Sequence, residues 1–196
     1  MEVLHLKSYR ITWQWMQKIR MKLNFIPAYH KKDTIETDSF LFRVKSKNPA
    51  GTIVPEEVEI MIIISRERTY FRLLRMTVIS GKSKSEKNQI IRDTLPYGGI
   101  ICVPDKTWFY SDERRFYKAR IGTKSKIYQP HCRLTLPDMV ARKWNHWVKD
   151  HYHNNIHEEH LQGYLNAFVF YFNQPEKTKL PEYFHWIIEN IWQQKA

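Results

Sequence analysis

The spacing of apolar positions changes several times along the chain, and each change predicts an element. From Ser8 to Leu23, Ile11, Trp15, Ile19 and Leu23 recur at helical spacing while Arg10, Lys18, Arg20 and Lys22 lie mostly off that stripe, which predicts an amphipathic helix. The period then shortens to two. Over Asp33 to Val44, Ile35, Thr37, Ser39 and Leu41 alternate with Glu36, Asp38, Phe40 and Phe42, a strand with Asp38 in its middle. Residues 57–65 and 68–80 are rich in Ile, Val, Thr and aromatics and are separated only by Arg66 and Glu67, so three antiparallel strands are expected. A loop and helix follow at 81–95, with Ser83 or Ser85 as cap, Glu86 in the first turn, and Ile90, Ile91 and Leu95 on the buried side. Gly98 to Val103 reads as a fourth strand, continuous in its hydrophobicity as central parallel strands are.

Beyond Asp105 the pattern blurs, and the last third is helical. Pro137 and Asp138 open a helix that carries Val140, Trp144, Trp147 and Val148 on one side. Another runs from about Ile156 to Asn173 with Leu161, Tyr164, Leu165, Phe168 and Phe172 as its apolar face, and a last one from about Pro181 to Gln193. Three antiparallel strands, a helix and a parallel fourth strand match the start of an RNase H-like α/β fold with a mixed sheet. In that arrangement the first strand and the end of the fourth are neighbours, so Asp38 and Asp105 are expected to face one another and share a divalent cation. Two carboxylates brought so close repel unless a cation lies between them or one is protonated.

Composition adds a partner class. The 196 residues include 32 Lys and Arg against 20 Asp and Glu, a net charge of +12, and 14% of them are aromatic, so the chain folds and favours a polyanion such as nucleic acid, or less often an anionic membrane surface. Basic residues concentrate in two places: Met1 to Lys32, and the segment holding Arg114, Arg115, Lys118, Arg120, Lys124 and Lys126 beside Phe116 and Tyr117. Each suits a surface that tracks a nucleic-acid backbone, and each equally suits a solvated face. No apolar run reads as a secretory signal or a membrane span, which predicts an intracellular chain. Cys102 and Cys132 form no CxxC pattern and are expected to be buried thiols. His146, His151, His153, His157 and His160 crowd one segment, a set that reads either as a zinc site or as polar-face histidines around a helix start.

Four segments carry a family resemblance: "YRITWQWMQKIR", "IETDSF", "GGIICVPDKTWFY" and "WVKDHYHNNIHEEHLQGYLNAFVFYFN". Across about residues 9 to 173 they resemble the Merlin-type transposases and their bacterial insertion-sequence relatives, which have a DDE-type catalytic core on an RNase H-like fold. The most specific is the last, with His160, Leu161, Tyr164, Phe168, Phe170 and Asn173 at the family's places. The resemblance implies residues 1–32 as the remnant of a helical DNA-binding unit and 33–196 as the core. It implies Asp38 and Asp105 as catalytic metal ligands for Mg²⁺ or Mn²⁺, with Asp138 counted into the third position. Arg10, Lys18, Arg20 and Lys22 would then contact DNA together with the basic segment 114–126. The chain departs from the family in three ways: it has no zinc-binding segment ahead of the helix, no glycine-rich tract after the first aspartate, and Ala141 where the third catalytic Glu would fall. Asp138 itself reads as a shortened ligand or as a helix N-cap. Two functions follow as expectations: a metal-dependent transposase, or a transposase-derived protein that binds DNA or serves as an assembly subunit without the chemistry. Expected partners are DNA and further copies of the chain, with no membrane, in a prokaryotic cytoplasm or a eukaryotic nucleus.

Overall fold

The computed structural model describes residues 9–23, 34–67, 70–95, 100–103, 118–121 and 135–173. Its elements are α1 (Tyr9–Lys22), β1 (Thr34–Lys47), β2 (Ile53–Glu67), β3 (Tyr70–Val78), α2 (Lys84–Thr94), β4 (Ile100–Val103), β5 (Lys118–Ile121), α3 (Thr135–Tyr152) and α4 (Glu158–Phe172). The strands form one mixed sheet in the order β3-β2-β1-β4-β5. The meander β1-β2-β3 is antiparallel, whereas β4 runs parallel to β1 and β5 parallel to β4. The expected helix over 181–193 and the residues from Pro104 to Tyr117 lie outside the described residues.

Burial explains why the central strands read as they do. In β2, Ile60 to Ile64 are each at most 1% exposed, because both faces of the sheet are covered there. On one face Ile35, Met61, Ile63, Ile101 and Val103 pack with Ile90 and Ile91 of α2 and with Leu95, its C-cap. A β-bulge between Ile63 and Ile64 lets both Leu74 and Arg75 of β3 turn to that side, Leu74 into the core and Arg75 onto the hydroxyl of Thr94 at 3.2 Å. On the other face α3 packs on β1 and β2, and the fully buried Trp144 meets Phe42 edge-on at 5.4 Å.

Local chemistry fixes the helix starts. Ser83 accepts the amide of Glu86 while the Glu86 carboxylate accepts the amide of Ser83, a reciprocal capping box that satisfies two backbone donors. Helix α3 begins at Thr135, ahead of Pro137, so Pro137 stands within the first turn, where a missing N–H costs nothing. This corrects the N-cap reading of Asp138, which is instead a first-turn acid favoured by the helix dipole. The far end of α3 is closed by His153 and Asn154, at φ 49° and 57°. The chain then returns to the sheet, where the Lys45 amide donates to the Ile156 carbonyl at 2.9 Å.

The described chain divides into two compact units, one running from β1 to Leu161 and one made of α1 with α4 from Gln162 onward. In the second, Gly163 lets the helices come close: a Cβ added there would lie 3.3 Å from the Cβ of Arg20. Around it Gln17 donates to the Tyr164 hydroxyl at 3.5 Å, Asn166 donates to the Met21 carbonyl at 3.4 Å, and the Arg20 guanidinium stacks 4.4 Å over the Tyr164 ring. The face of α1 that meets α4 is thus carried by Gln17, Arg20 and Met21. The predicted stripe is buried only at Leu23; Ile11 and Trp15 are 42% and 39% exposed.

Candidate functional site

Asp38 sits in the middle of β1, opposite Ile62, and is 5% exposed. One of its carboxylate oxygens accepts the amide of the following residue, Ser39, at 2.8 Å. Two residues earlier on the same face lies a second buried carboxylate that sequence patterning did not single out. Glu36, 1% exposed, stands beside Cys102 of β4 and opposite Ile64 of β2. Its carboxylate takes the Arg66 guanidinium at 3.2 Å and the backbone amide of Leu136, in the first turn of α3, at 3.4 Å. Burial raises its pKa above the ordinary 4.5, because desolvation of the charged form outweighs the favourable pull of Arg66 and of the Leu136 amide. The signal was present as two acids at i and i+2, Glu36 and Asp38, on one face of a predicted strand.

The structure ties the acid-bearing strand to the helix that carries Asp138. Glu36 holds Leu136, and Asp138 lies in the same turn. Two helical positions are about 200° of rotation, so Leu136 is buried while Asp138 is exposed. Asp138 therefore does not share the buried face on which Glu36 and Asp38 lie. Asp105 lies outside the described residues, and the register between β1 and β4 is described as far as Glu36 and Cys102. Among the described residues, no three His, Cys, Asp or Glu side chains converge as a metal group.

The histidines are distributed rather than gathered. His146 pairs with Asp150 at 3.2 Å, a His151 ring nitrogen is 2.9 Å from the Trp147 carbonyl, and His160 lies 3.3 Å from Glu159. His153 serves the end of α3, and His157 bridges to Lys45. Cys102, fully buried, is disulfide-bonded, which corrects its reading as a thiol; Cys132 lies outside the described residues.

Of the basic candidates, Arg10, Lys18 and Lys22 are exposed on α1, with the Lys18 ammonium 5.5 Å over the Trp15 ring. Arg20 is half-buried against Tyr164. Lys118 and Arg120 belong to β5, whereas Arg114, Arg115, Lys124 and Lys126 lie outside the described residues. No described helix is long and apolar enough to cross a membrane. No protein-family model matches the chain, and no curated protein matches it.

Proposed function

We propose that the chain is a transposase-like DNA-binding protein of the DDE class, built on an RNase H-like core and related to the Merlin-type transposases. One observation carries the reading: a buried aspartate, Asp38, sits mid-strand in β1, the strand alongside which β4 runs parallel, in a sheet ordered β3-β2-β1-β4-β5. A carboxylate in that position costs desolvation and is at odds with the apolar strands around it, so a chemical role accounts for it better than packing does. The net charge of +12 supports DNA as substrate, and DNA in turn favours an intracellular site of action.

In this reading Asp38 and Asp105 hold Mg²⁺ or Mn²⁺. Hard oxygen donors suit these ions, and Asp38 supplies one at a buried position. The bound ion would stabilise charge on the attacking and leaving oxygens of an in-line displacement at phosphorus. Glu36 is engaged by Arg66 and the Leu136 amide, so its role is to fix the start of α3 against β1. Exposed cations on the surface hold the DNA backbone.

The exposure of Asp138 favours a second reading, in which the fold and the DNA surface are kept and the chemistry is lost. Both are tested by incubating the chain with supercoiled plasmid and Mn²⁺. Nicking that Asp38→Asn and Asp105→Asn each abolish, with DNA binding kept, supports the enzyme. Salt-sensitive DNA binding without nicking in any of the three proteins supports the binder. No DNA binding at all rejects both.

A further inference from the structure

The β1-β2 pair is longer than the sheet it belongs to. Its register runs from Thr34–Arg66 to Lys47–Ile53, but β3 pairs with β2 only from Ile60 on and β4 pairs with β1 only as far as Glu36. Among the described residues the distal part is thus a ribbon of β1 and β2, joined at one point of the β1 edge by the Lys45–His157 bridge. One side of it, with Phe42 and Val44, is buried, and Trp144 packs on Phe42. The other side is open, and along β1 it carries Arg43, Lys45 and Lys47, all exposed. Across from them on β2 are Glu57, Pro55 and Ile53, so of these three cross-strand partners the one acid is at the inner end, where Glu57 takes Arg43 at 3.5 Å.

The same side of the sheet supports more cations. Alternation along β1 puts Ile35, in the core with α2, on the side of Arg43, Lys45 and Lys47. The turn before α2 abuts the row's inner end: Ser80 accepts the Glu59 amide, and Lys87 reaches the Glu59 carboxylate at 3.5 Å. That turn and the start of α2 expose Lys82 and Lys84. On this corner six cations, Arg43, Lys45, Lys47, Lys82, Lys84 and Lys87, stand against three acids, Glu57, Glu59 and Glu86, the last of which feels the charge of Lys82, so the charge there is in positive excess.

We infer that this open ribbon face and the turn before α2 form a second DNA-contacting surface, one that grips the phosphate backbone of duplex DNA without reading bases. It rests on the DNA-binding reading above and adds the place of contact. The four residue steps from Arg43 to Lys47 advance about 14 Å. That length spans a major groove about 12 Å wide, so the row's ends meet phosphates on its two sides. A face built of cations and carrying few fixed donors positions DNA and specifies no sequence.

The test uses the full chain and a fluorescent 20-base-pair duplex, with affinity measured across NaCl concentrations. The double variant Lys45→Ala/Lys47→Ala should weaken binding roughly tenfold and flatten the slope of log affinity against log salt by about 1.8, twice the ~0.9 expected per lost phosphate contact. The control Arg142→Ala/Lys143→Ala removes the same charge from exposed positions of α3 and should leave the slope as in wild type. All four side chains are exposed, so both variants should keep the wild-type circular dichroism and melting temperature. Equal slopes for the two double variants would reject the surface. So would a Lys45/Lys47 loss seen for polyglutamate and not for the duplex, which would assign the face to an acidic protein. A wild type that binds no duplex fails one level lower and rejects the DNA-binding reading with it.

Discussion

The two halves of β1 obey different rules. From Ile35 to Asp38 every residue is buried; from Leu41 to Lys47 buried and more exposed positions alternate. The inner half has a helix on each face and, as far as Glu36, a strand on each side, so a polar group there must find a partner inside the protein, as Glu36 does with Arg66 and the Leu136 amide. The outer half has one open face, and water or a ligand can satisfy whatever stands on it. Acids in the first half and cations in the second therefore carry opposite information. A buried acid is a costly choice that asks for a reason, whereas a single exposed cation asks for none, and only the row Arg43, Lys45, Lys47 with its neighbours makes a case.

The largest effect that sharpens this contrast is a truncation in each half. Ile35→Ala should cost about 2–5 kcal/mol in urea unfolding, since Ile35 is fully buried in the core beneath α2, whereas Leu41→Ala, at 66% exposure, should stay within about 0.5 kcal/mol. Similar losses at both sites would erase the distinction.

Next in size is Glu36. Its folded-state pKa is raised above 4.5, so its contribution to stability is fully present below the unfolded value and is lost as pH rises through the folded one. Glu36→Gln has no charge to desolvate, so its stability relative to wild type should improve on going from pH 4 to pH 7. A gap that is constant over that range would contradict the burial argument. The smallest effect belongs to Arg43 and Glu57, whose side chains are 73% and 56% exposed: a double-mutant cycle should return a coupling of about 0.5 kcal/mol or less, fading in high salt.

Much of this was legible in the sequence because local rules and tertiary packing agree there. The meander, the capped α2 and the parallel β4 follow from period-two alternation, from Ser83 ahead of Glu86, and from a continuous apolar run. Asp38 stood out because a strand has little use for it. Other features depend on partners that no local window contains. Glu36 looked like the polar side of an alternating strand, and only α3, a hundred residues on in the chain, closes over it. The four residues of β5 read "KARI", with no apolar run of their own, and are a strand because β4 offers them an edge. The stripe of Ile11 and Trp15 had the right period, yet α1 docks on α4 through Gln17, Arg20 and Met21. Nothing in the spacing of Cys102 and Cys132 announced a disulfide at Cys102.

Gly163 makes the seam between α1 and α4 sensitive to a single side chain. The helices come together over an omitted methyl, with an Arg20 backbone-proximal carbon at 3.3 Å from where that methyl would stand. A larger side chain at this one position would press on Arg20, Gln17 and Met21 and oblige α1 to give way by at least a few tenths of an ångström, so the fit of the N-terminal cationic helix can be perturbed by a change that is made nowhere on β1.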